Sequence, residues 1–67
     1  MTLKDLSELA QFQIKLEVFK EELERNEELY NSFDGFEELQ EEYKNNIKYL
    51  KKQIEYLEGK VKRYEKH

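Results

Sequence analysis

The sequence predicts an all-α fold: an antiparallel, coiled-coil-like hairpin of two helices. Three observations predict it. Apolar residues recur in steps of three and four, the rhythm is interrupted at Asp34-Gly35, and the chain has no proline. Upstream the positions are Leu9, Phe12, Leu16, Phe19, Leu23, Asn26, Tyr30 and Phe33. Downstream they are Phe36, Gln40, Tyr43, Ile47, Leu50, Ile54, Leu57, Val61 and Tyr64. Folding at Asp34-Gly35 brings Phe33 to Phe36, Leu23 to Ile47, Phe19 to Leu50 and Leu9 to Val61, with Asn26 opposite Tyr43. A second register, slipped by about three residues, pairs Leu16 with Leu57 and Leu23 with Leu50. A continuous parallel coiled coil is the alternative architecture. Ile47, Ile54 and Val61 at a with Leu50 and Leu57 at d suit it, and the central Asp-Gly argues against it.

Residues 1–67 make one domain, with helix 1 at about 2–31, a turn at 32–35 and helix 2 at about 36–65. Thr2, with Asp5 three residues on, is a weak capping box for helix 1. Within that helix, Phe12 to Val18 alternate apolar and polar, a strand pattern. Helix is the better reading, because the helical spacing runs from Leu6 to Phe33 and a lone strand has no partner. Asn31-Ser32 and Asp34-Gly35 are turn chemistry, and Asp34 with Glu37 fits a capping box for helix 2. Glu37, Glu38, Glu41 and Glu42 near the start of helix 2, and Lys60, Lys62, Arg63 and Lys66 near its end, complement its dipole. Gly59 predicts fraying or a bend.

Composition narrows the function classes. Charged residues are 42% of the chain, and the helix formers Glu, Lys, Leu and Gln dominate. Without cysteine there is no disulfide or thiolate metal site. No apolar stretch spans a bilayer and no signal peptide is visible, so a cytoplasmic location is expected. Residues 17–42 hold eleven acids against the two bases Lys20 and Arg25, whereas 43–67 hold eight bases against three acids. A hairpin therefore has an acidic bend, and helix 2 makes its open end basic. The plainest reading of these runs is a solvated surface.

Catalysis is not expected. The only histidine, His67, is the last residue, expected as a frayed end or the remnant of a trimmed tag. Ser7 and Ser32 lack an identifiable base, and the paired glutamates fall on outward positions, away from the enclosed pocket that general acid–base work needs. No Glu-x-x-His motif suits a metal-binding bundle. No cofactor, metal or small-molecule substrate is expected. Asn26 and Tyr43 on the seam read as register-setting residues. The nine aromatics, Phe12, Phe19, Phe33 and Phe36 among them, read as core and hint at a four-helix bundle of two hairpins.

Three surfaces are candidates for binding. Leu3, Ala10, Ile14 and Val18 form a second apolar stripe on helix 1, roughly opposite the seam. A helix apolar on two sides is covered on two sides, and a hairpin covers one. A homodimer or another protein partner is expected there. The acids Glu21, Glu24, Glu28, Glu38, Glu41 and Glu42 near the bend can imitate a phosphate backbone and block a nucleic-acid-binding enzyme; small inhibitors encoded by phages and mobile elements often have this size and charge. Lys48, Tyr49, Lys52, Tyr56 and Lys60 on helix 2 combine stacking rings with phosphate-neutralising charges, the minor, nucleic-acid-binding reading. The reading that follows is a non-enzymatic protein-interaction module, a regulator, inhibitor or adaptor that self-associates.

Overall fold

The computed structural model describes residues 2–65; Met1, Lys66 and His67 lie outside them. Two helices, α1 (Leu3–Ser32) and α2 (Glu37–Glu65), pack against each other as a hairpin in a rod of 51 × 14 × 13 Å. Phe12 to Val18 are helical like the rest of α1, so the helical period prevails over the local alternation. Thr2 caps α1: its hydroxyl accepts from the Asp5 N–H and its own N–H donates to the Asp5 carboxylate, each at 3.2 Å.

The bend is a four-residue turn. Phe33 closes α1 by donating its N–H to the Leu29 carbonyl, and Phe36 donates back to the Phe33 carbonyl at 3.0 Å. Gly35 is third in this turn with φ +93°, a region that glycine enters without a Cβ clash. The carbonyl of Phe36 then accepts from the Gln40 N–H at 2.9 Å, the first bond of α2. Phe36 thus holds the position just before the helix, where the Asp34–Glu37 box had placed Asp34. The turn consumes Asp34 and Gly35 before the helix can begin.

The core is narrow and unevenly shared. Its buried apolar residues, Leu50, Ile54, Leu57 and Val61, all belong to α2 from its middle onward. Leu9, Phe12, Leu16, Phe19 and Leu23 of α1 are half-buried. One neighbouring helix can cover only one stripe of α1. Gly59 sits inside the unbroken α2 and produces no helix end there.

Across the seam, each α1 residue meets an α2 residue farther from the bend than its simple mirror position. Tyr64 donates to the Glu8 carboxylate at 2.6 Å, and its ring centroid lies 6.1 Å from that of Phe12. This places Tyr64 at the level of Leu9, which the mirror register gives to Val61. Tyr43 stacks on Phe33 with centroids 5.8 Å apart, and Asn26 bonds to Asn46. The displacement has the direction of the slipped register. Helical side chains lean toward their own N-termini, which in an antiparallel pair sets each α1 residue against an α2 residue farther from the bend than its mirror position.

Candidate functional site

The side of α1 turned away from α2 carries the largest run of uncovered apolar residues. Leu3 is 87% exposed, Ile14 63%, and Leu6 and Val18 are each about half exposed, with the small Ala10 exposed between them. At 100° per residue these five positions share one side, roughly opposite Leu9, Phe12, Leu16, Phe19 and Leu23. Leu6 extends the stripe beyond the four residues picked out by sequence. Its spacing from Leu3 and Ala10 carried the signal, but Leu6 also opens the longer seam pattern. Past Val18 the same side becomes charged with Glu21, Glu24 and Glu28.

The acidic residues do not converge on one patch. Glu21, Glu24 and Glu28 lie on the outer side of α1, whereas Glu38, Glu41 and Glu42 lie on the outer side of α2, all exposed. Arg25 reaches Glu22 at 3.8 Å, a surface pair of little energetic weight. Between the two acidic sides, at the bend, Phe36 is 62% exposed and Leu39 is also uncovered. Phe36 was expected in the core. It meets Phe33 edge-on at 6.1 Å, but its place immediately before α2 leaves most of the ring in water.

Lys48, Tyr49, Lys52, Tyr56 and Lys60 do share the outer side of α2, with both tyrosine rings more than half exposed. The Lys60 ammonium lies 5.4 Å from the centroid of Tyr56, over the ring that a base would stack on. The groove beside it, lined by Glu55, Tyr56, Gly59, Lys60 and Arg63, is open to solvent. A larger depression, lined by Gln13, Leu16, Glu17, Lys20, Val61 and Glu65, is open too. No group of acidic side chains among the described residues is arranged to hold a metal ion.

Two pairs of polar side chains bond to each other across the seam that sequence reasoning had not joined, and the Gln40 amide also donates to the Tyr30 carbonyl at 3.1 Å. Asn46 donates to the Asn26 side chain at 3.3 Å, and Asn26 donates to the Glu22 carbonyl at 2.7 Å. Asn46 had no assigned role, and the adjacent Asn45-Asn46, poor helix formers inside α2, were the available signal. The hydrogen bond from Tyr64 to Glu8 raises the pKa of its phenol above the ordinary value, with desolvation assisting. The Thr2 backbone N–H, and secondarily the Thr2 side chain, hold the Asp5 carboxyl below the usual range. No helix among the described residues is long and apolar enough to cross a membrane. Compared with models of known families, with curated proteins and with solved structures, the chain has no significant match.

Proposed function

We propose that this chain is a small protein-interaction module that self-associates and binds a protein partner, as a regulator, inhibitor or adaptor rather than as an enzyme. One observation carries the reading: Leu3, Leu6, Ala10, Ile14 and Val18 form a continuous uncovered strip on the side of α1 away from α2. Single exposed apolar residues are ordinary, but a contiguous strip framed by charged residues is characteristic of an interface. The thin core points the same way. No described side chain is sealed from solvent, and small folds of this kind gain stability from association. Two hairpins joined through this strip make a four-helix assembly.

The test is mass by light scattering over a concentration series, for the native chain and for Ile14→Glu/Val18→Glu. The native chain is expected to move from monomer to dimer as concentration rises. The double variant should remain monomeric with its helical circular dichroism intact. Unchanged assembly and unchanged partner binding in that variant would overturn the reading.

A further inference from the structure

We infer that the strip on α1 takes a second copy of this chain, running antiparallel, with the two-fold axis at Ala10; this rests on the interaction-module reading above. The strip reads nearly alike from both ends. Leu6 and Ile14 lie four residues either side of Ala10, and Leu3 and Val18 lie at its two ends. Reversing a copy sets Ala10 on Ala10, Leu6 on Ile14 and Leu3 on Val18, the self-complementary pairing that a two-fold interface requires. The smallest residue falls at the centre, where it lets the helix axes come to about 8 Å, the close end of the usual range.

Charge favours the same arrangement. The strip ends at Val18; Glu17 then falls level with Leu3 in the first turn of the reversed copy, and Glu21 just beyond the N-terminal end of that helix. A helix N-terminus carries partial positive charge and favours carboxylates there. A parallel copy would instead place the two acidic bends side by side. Antiparallel packing sends them to opposite ends, with the strongly charged halves of both hairpins protruding. Because the strip lies roughly opposite the seam, the helices form one layer, α2–α1–α1–α2, with no shared central core. The paired stretch is only about 24 Å long, small for a specific interface, so association depends visibly on concentration.

The chain has no cysteine, so single cysteines report the geometry directly. Ala10→Cys, under mild oxidation at concentrations where light scattering gives a dimer, is expected to form a disulfide-linked dimer, since facing Cα atoms across this crossing fall within disulfide reach. Leu3→Cys alone should stay unlinked, because its counterpart is about 22 Å away along the helix. Mixed with Val18→Cys it should yield the heterodimer. Glu21→Lys should weaken self-association several-fold. Leu3→Cys linking to itself faster than Ala10→Cys would overturn the antiparallel arrangement. So would a light-scattering dimer in which Ala10→Cys stays unlinked, and the interaction-module reading would survive that result. A native chain monomeric at every concentration would rule out the second copy as occupant.

Discussion

Asn46 donates its side-chain amide to the Asn26 carbonyl oxygen at 3.3 Å, while Asn26 donates to the Glu22 backbone at 2.7 Å. Asn26 is the one buried polar residue among those described, and it sits where the seam would otherwise take an aliphatic side chain. Removing one member of such a pair strands the other. Asn46 itself is exposed, so Asn46→Ala is expected to cost only about 0.5–1 kcal/mol in urea unfolding. Asn26→Leu removes the buried amide itself and should be close to neutral in stability. It should also relax the register, seen as extra or broadened amide resonances. A larger loss for Asn26→Leu than for Asn46→Ala would refute this assignment.

Tyr64 and Glu8 tie the open end together, and their bond gives stability an alkaline limit. The folded-state phenol titrates above its unfolded value of about 10. Its contribution is fully present below pH 10 and is lost as pH rises toward the folded value. Tyr64→Phe should lose this alkaline decline, measured as the difference in thermal midpoint between the two proteins from pH 9 to 11. Parallel curves would show that the bond does not persist in solution.

The two glycines should respond oppositely to alanine. Gly59 has helical surroundings and open space where a Cβ would sit, so Gly59→Ala is expected to stabilise by about 0.5–1 kcal/mol. Gly35 also has open space, but its φ of +93° is strained for any L side chain. Gly35→Ala should destabilise by about 1–2 kcal/mol. Chemical denaturation of both variants checks the pair, and a shared sign would contradict the described turn.

Asp5 supplies an acid-sensitive latch at the start of α1. Its carboxyl titrates below the ordinary value of 3.8, so its contribution is present above that pH and is lost as pH falls through the folded value. Protection of the first-turn amides, taken relative to the intrinsic exchange rate at each pH, should fall below pH 4 in the native chain. Asp5→Asn should show low protection there already at neutral pH and little further change on acidification. Identical pH profiles for the two would show that the Thr2–Asp5 box is not formed.

The helical period and the Asp-Gly interruption made the hairpin legible in the sequence, because both act through local geometry. The stripe from Leu3 to Val18 was legible for the same reason, since its positions share a side of any α-helix. What spacing cannot carry is the lean of side chains along the axis. That lean moved the partner of Asn26 from Tyr43 to Asn46 and set Tyr64 between Glu8 and Phe12. Nor does periodicity register where a turn ends. Phe36 matches the seam pattern but falls just before the first residue of α2, so its ring stays mostly in water. The acids were grouped by sequence proximity, and the two helices then carried them to opposite sides of the rod.

Among the described residues, the buried apolar side chains all lie from Leu50 to Val61, while the start of α1 rests on a capping box and half-covered residues. Local opening is easiest where few apolar contacts hold the backbone. In an isolated monomer the first turns of α1 should therefore unwind far more often than the second half of α2. A copy docking on Leu3 to Val18 closes the part of the molecule most prone to open. Assembly would then be recorded as slowed deuterium uptake at the beginning of the chain, with little change around Leu57.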